Sequence, residues 1–66
     1  MTFGEKLRFL REVRGLSKTE LAIATGFSRR SIYNWEAGKR QPKSLAVLTT
    51  LGVVLGVDLG YWTPSE

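Results

Sequence analysis

The chain has 66 residues and a net charge of +4, with ten Lys or Arg against six Asp or Glu. It holds neither Cys nor His. That length fits one small domain, the composition excludes disulfides and thiolate metal sites, and the commonest general base at neutral pH is missing.

The charge is unevenly placed. Residues 28–43 hold Arg29, Arg30, Lys39, Arg40 and Lys43 against Glu36 alone, whereas residues 44–66 hold only Asp58 and Glu66. A basic stretch of this kind is the electrostatic footprint of a phosphate-binding surface. Charged residues at Glu5, Lys6, Arg8 and Arg11 interrupt the N-terminal apolar pattern, which is therefore not a signal peptide. The apolar run from Leu45 to Leu59 is too short to span a bilayer. The expected setting is cytoplasmic, with no membrane association.

Taken in order, the elements are short helices. Thr2-Phe3-Gly4-Glu5 has the form of a capping box, and Phe3, Leu7, Leu10 and Val13 then recur on one apolar face. Gly15 ends this helix. Ser17-Lys18-Thr19-Glu20 is a second capping box, followed by Leu21, Ala22 and Thr25 as the inner face of about two turns. Gly26 ends that helix and Phe27 anchors the turn. Ser28 caps a third helix, whose first turn carries Arg29 and Arg30 where a helix selected for stability alone would carry Asp or Glu. Ile32 and Trp35 point inward, and Gly38 closes it. Lys39-Arg40-Gln41-Pro42 is a loop. A fourth helix runs from Ser44 or Leu45 to Leu55 with a stripe of Leu45, Leu48, Leu51 and Leu55; Gly52 weakens it by about 1 kcal/mol relative to Ala. Gly56 caps it, Asp58 starts a final turn with Leu59 and Trp62 inward, and Pro64 blocks continuation. No strand pattern and no repeat occurs.

Two short helices joined at Gly26, with the small Ala22 facing the second helix and Ile32 and Trp35 as its anchors, match a helix-turn-helix over about residues 17–37. The residues Leu7, Leu10-Arg11, Gly15-Leu16-Ser17, Glu20-Leu21-Ala22, Gly26-Phe27-Ser28, Ser31-Ile32, Trp35-Glu36, Gly38-Lys39-Arg40, Pro42 and Leu55-Gly56-Val57 resemble the phage-repressor (Xre/Cro-like) family. The resemblance covers roughly residues 3 to 62. It implies an all-α fold, a compact five-helix bundle, and binding of operator DNA as a two-fold homodimer. It also implies that Arg11 pairs with Glu36. The sequence departs from the family at Lys18, where glutamine is frequent, and by one extra residue between Pro42 and the fourth helix.

Side-chain roles follow from groove chemistry. A recognition helix reads bases from near its N-terminus, and arginine is bidentate to guanine while asparagine is bidentate to adenine. Arg29, Arg30, Asn34 and Tyr33 are therefore the expected base contacts, with Ser31 as a helper. Lys18, Lys39, Arg40 and Lys43, with the helix starts at Ser17 and Ser28, are expected on phosphates. No cofactor is expected. Trp62 either completes the core or forms a dimer surface. The expected function is transcriptional regulation, as a repressor. An antitoxin, a DNA-binding module of a longer chain with a further domain or partner protein, and a protein-interaction module on the same scaffold are the alternatives. The Pro64-Ser65-Glu66 ending reads equally as a linker or a terminus.

Overall fold

The computed structural model describes residues 1–62, so the expectations for Pro64, Ser65 and Glu66 lie outside the described residues. Five helices follow one another among the described residues: α1 (Phe3–Val13), α2 (Lys18–Thr25), α3 (Arg29–Glu36), α4 (Leu45–Leu55) and α5 (Leu59–Trp62). No strand occurs among the described residues.

The local signals act as the sequence predicts. The Thr2 hydroxyl accepts from the Glu5 amide at 3.2 Å while the Thr2 amide donates to the Glu5 carboxylate at 2.9 Å. That bond to the Thr2 amide holds the Glu5 carboxyl below its ordinary range. Ser17 and Glu20 form the same reciprocal pair at 3.0 and 2.8 Å. Gly26 ends α2 at φ 82°, a conformation that side-chain-bearing residues adopt only at a cost, and its amide donates to the Ala22 carbonyl. The chain thereby turns within three residues from α2 into α3.

The core draws on every helix. Leu7, Leu21, Ile32, Leu51 and Leu55 are fully buried, joined by Leu10, Ala22 and Trp62. Phe27 meets Trp35 edge-on with ring centroids 5.5 Å apart, and Phe3 meets Trp62 at 5.2 Å. Trp62 therefore completes the core. α3 packs on both α1 and α2, so its inner face is held from two sides.

Three positions differ from the sequence expectation. Val13 and Leu45 are exposed rather than inward. Each lies two i+3 steps from the residue that centres its face, Leu7 or Leu51, and at about 100° per residue those six positions turn the side chain about 120° away. The α1 face continues instead through Arg11 and Arg14; the Arg14 guanidinium donates to the Leu55 carbonyl at the end of α4, 2.9 Å away. Leu59 is also exposed, because only Trp62 of the short α5 enters the core.

Gly52 is a correction of another kind. It is buried, and a Cβ built there falls 2.4 Å from the Val57 carbonyl oxygen. The residue allows the chain after α4 to fold back against the helix, so its absent side chain is a packing requirement rather than a weakness. Gly4 serves likewise where α1 crosses the end of α3, with a Cβ 2.4 Å from the Trp35 carbonyl oxygen.

Candidate nucleic-acid interface

The outer surface of α3 is the product of its cap. The Ser28 hydroxyl accepts from the Ser31 amide at 3.0 Å and donates to the Ser31 hydroxyl at 3.0 Å. With one hydroxyl closing the first turn, the turn needs no acidic residue, and it has none. Arg29 and Arg30 stand exposed there, while Ile32 on the opposite face is fully buried. Arg30 and Asn34, and likewise Arg29 and Tyr33, are four residues apart and so neighbours along the helix surface. Tyr33 is half exposed and Asn34 half buried.

The remaining cations gather at the two ends of this surface. Lys18 and Thr19, at the start of α2, line an open cleft of about 630 Å³ with Arg29, Arg30 and Tyr33. The first-turn amides of Lys18 and Thr19 have no carbonyl partner within their helix, which leaves α2's positive end beside those arginines. Ser17's own amide is taken by Glu20, so Ser17 offers its hydroxyl proton rather than its amide. Beyond α3, the Asn34 carbonyl accepts from the Lys39 and Arg40 amides at 3.0 and 3.4 Å, which ties their turn to the helix. Lys39, Arg40 and Lys43 line a second cleft, of about 610 Å³, with Trp35. The structure thus brings Lys18, Arg29, Arg30 and Tyr33 together, sets Lys39, Arg40 and Lys43 apart as a second group, and links the groups through Tyr33. The Lys18 and Lys39 ammonium groups lie 5.6 and 5.4 Å from its ring centre. Thr19 is not among the contacts expected from the sequence; its place two residues after the Ser17 cap is the signal that points to this cleft.

The expected Arg11–Glu36 pair is present and bidentate. Arg11 Nε donates to Glu36 Oε2 at 2.6 Å and Nη2 to Oε1 at 3.0 Å, while Nη1 reaches the Leu16 carbonyl at 2.8 Å. The two side chains are only 10% and 4% exposed. Hydrogen bonding to Glu36 raises the Arg11 pKa further, against the opposing effect of burial. Glu36 is the only acid in residues 28–43, and this pair spends it in the interior. The outer face of that stretch is left with five cations and no compensating carboxylate.

No helix among the described residues is long and apolar enough to cross a membrane, and no group of His, Cys, Asp and Glu among them could hold a metal ion.

The geometry has counterparts in known proteins. A helix-turn-helix domain model matches residues 2–60. A prophage-derived, uncharacterized HTH-type transcriptional regulator of Bacillus subtilis is 36% identical over 59 residues, spanning 89% of this chain and 54% of that protein. Among solved structures, the restriction-modification controller protein C.AhdI from Aeromonas hydrophila superimposes with a TM-score of 0.84 at 33% identity, covering 92% of this chain and 91% of that one. Part of the hydroxypropylphosphonic acid epoxidase from S. wedmorenis gives 0.83 at 31% identity, covering 94% of this chain but 32% of the enzyme. The chain spans between 11% and 54% of the length of the curated relatives it matches. With its five helices, the turn at Gly26 and the match across residues 2–60, the chain belongs to the phage-repressor (Xre/Cro-like) family of helix-turn-helix domains.

Proposed function

We propose that this chain is a sequence-specific double-stranded DNA-binding domain, about residues 17–37 forming its helix-turn-helix, and that it regulates transcription as a cytoplasmic repressor. The observation that carries the reading is the exposed, acid-free first turn of α3, with Arg29 and Arg30 on a helix whose other face is locked by Ile32. In this reading α3 enters the major groove. Arg29 and Arg30 donate to guanine edges and Asn34 addresses adenine, while Ser31 assists from its hydroxyl. Lys18, Lys39, Arg40 and Lys43 meet phosphates on either side, joined by the helix starts at Ser17 and Ser28. The chain acts as a homodimer on an inverted operator, the arrangement that a two-fold protein imposes on its site.

A second reading is favoured by the lengths of the relatives. The chain spans at most 54% of the curated proteins it matches, which supports a DNA-binding module serving a longer polypeptide. The likeness to part of an epoxidase belongs with this reading: one scaffold occurs beside different activities, and a fold does not fix a function. We read the domain itself as non-enzymatic, since it has no His and no Cys. A purely protein-binding role leaves the exposed arginines of α3 without a purpose.

The test is titration of selected and random-sequence duplexes at several salt concentrations, with sedimentation at micromolar protein to count subunits. The expected result is preference for a selected site and a log Kd that rises steeply with log salt, by about 0.9 per neutralised phosphate. Binding without sequence preference, or without salt dependence, overturns the reading.

A further inference from the structure

Tyr33 is the meeting point of two elements that the chain separates widely. Lys18 belongs to the first turn of α2 and Lys39 to the turn after α3, yet both ammonium groups sit over this one ring, at 5.6 and 5.4 Å from its centre. They are therefore no farther apart than the sum of those distances, in a molecule where like charges repel. Ordinary partners are spoken for. Of the acids that line a cleft with Lys18 and Tyr33, Glu12 pairs with Arg8 and Glu36 with Arg11. Among the described residues neither lysine forms an ion pair, so the negative face of the Tyr33 ring is what holds each of them. A lysine side chain is otherwise a flexible point charge whose ordering on a ligand costs entropy.

We infer that Tyr33 is a positioning residue: its ring holds the Lys18 and Lys39 ammonium groups in place on either side of the DNA-reading surface, ready for two phosphates, and it does not read a base. The inference rests on the DNA-binding reading of α3 and replaces the expectation that Tyr33 is a base contact. The ring is half exposed, Lys39 is exposed and Lys18 half buried, an arrangement in which the ammonium groups can meet phosphate oxygens while the ring backs them. The contribution is to affinity for any sequence, because phosphates carry no base identity.

The experiment compares the wild type with Tyr33→Phe, which keeps the ring, and Tyr33→Leu, which removes it. Binding to the selected operator and to a random-sequence duplex is measured over a range of salt. Tyr33→Phe should bind within two-fold of the wild type. Tyr33→Leu should weaken both duplexes alike, by about two- to five-fold for each lysine released, with a shallower salt dependence and unchanged base preference. In a Lys18→Ala/Lys39→Ala background, Tyr33→Leu should have no further effect. In the free protein, the ε-methylene protons of Lys18 and Lys39 should show upfield ring-current shifts in the wild type and Tyr33→Phe, and lose them in Tyr33→Leu. This last reading stands even where a variant binds DNA too weakly to measure. The inference is overturned if Tyr33→Phe is as weak as Tyr33→Leu, if the loss is confined to one base position, if it adds in full to the lysine removal, or if the ring-current shifts are absent. A wild type that binds no duplex at all instead refutes the DNA-binding reading, and the lysine shifts still decide whether the ring holds the two cations.

Discussion

Replacing Glu36 with glutamine leaves the Arg11 guanidinium charged, 90% enclosed and facing a neutral amide in place of a bidentate carboxylate. Removing one partner of a buried pair costs about 3–5 kcal/mol, mostly because the other charge remains without compensation. Glutamine still accepts one hydrogen bond and the Leu16 carbonyl still takes Nη1, so the lower end, about 3 kcal/mol, applies. A domain of this size has a total stability of roughly 3–10 kcal/mol at 0.05–0.15 kcal/mol per residue. The substitution therefore removes a third or more of it, equivalent to a fall in Tm of roughly 12–24 °C for a small domain. Urea unfolding followed by tryptophan fluorescence measures the loss. The decisive comparison adds Arg11→Met, Glu36→Leu and their combination. With both charges gone no unpaired ion remains, and the double variant should be more stable than the sum of the single losses allows, approaching or exceeding the better single variant. A cost below about 1 kcal/mol for Glu36→Gln, or strict additivity in the cycle, refutes the claim that this pair ties α1 to the end of α3.

Gly52→Ala should destabilise despite alanine's better helix propensity. The gain of about 1 kcal/mol from propensity is opposed by a Cβ 2.4 Å from the Val57 carbonyl oxygen, which only a backbone shift relieves; thermal melts should give a net loss of about 1–2 kcal/mol. Arg29→Ala should cost about 1–3 kcal/mol at the preferred operator and relax choice at one base position, whereas Arg40→Ala should weaken selected and random duplexes equally and lower the salt slope by about one phosphate; quantitative binding to single-base operator variants separates the two. For Glu5 the folded pKa lies below the ordinary value of 4.5, so its contribution to stability is present above that value and lost as pH falls through the lower folded one. Melts of the wild type and Glu5→Gln should run parallel above pH 4.5 and converge or cross only below it.

What was legible in the sequence was local chemistry. Thr2 with Glu5 and Ser17 with Glu20 identify their own helix starts, because every atom of a capping box lies within four residues. Gly26 marks the turn for the same reason. The Ala22–Ile32–Trp35 spacing then placed α3, and with it the basic first turn at Arg29 and Arg30. Contacts between distant segments were less visible. Gly52 looks like a flaw inside an apolar stripe until Val57 folds back onto it, and nothing near Gly4 in the chain announces the carbonyls of Trp35. Counting by i+3 puts Val13 and Leu45 on the inner faces, but such steps drift around a helix, by about 120° after only two of them. Arg14 and Lys6 do their work through backbone carbonyls of Leu55 and Tyr61, acceptors that every residue has and that no pattern singles out.

The two tryptophans occupy environments that make them separate optical reporters. Trp62 is 6% exposed, against Phe3 and Tyr61 in the core, so its emission follows global unfolding. Trp35 packs edge-on against Phe27 and also lines the cleft that holds Lys39, Arg40 and Lys43, so its emission responds to what enters that cleft. A Trp62→Phe chain would carry a single indole beside the basic cleft, so the arrival of a ligand there would be read from the protein's own emission, without an added dye.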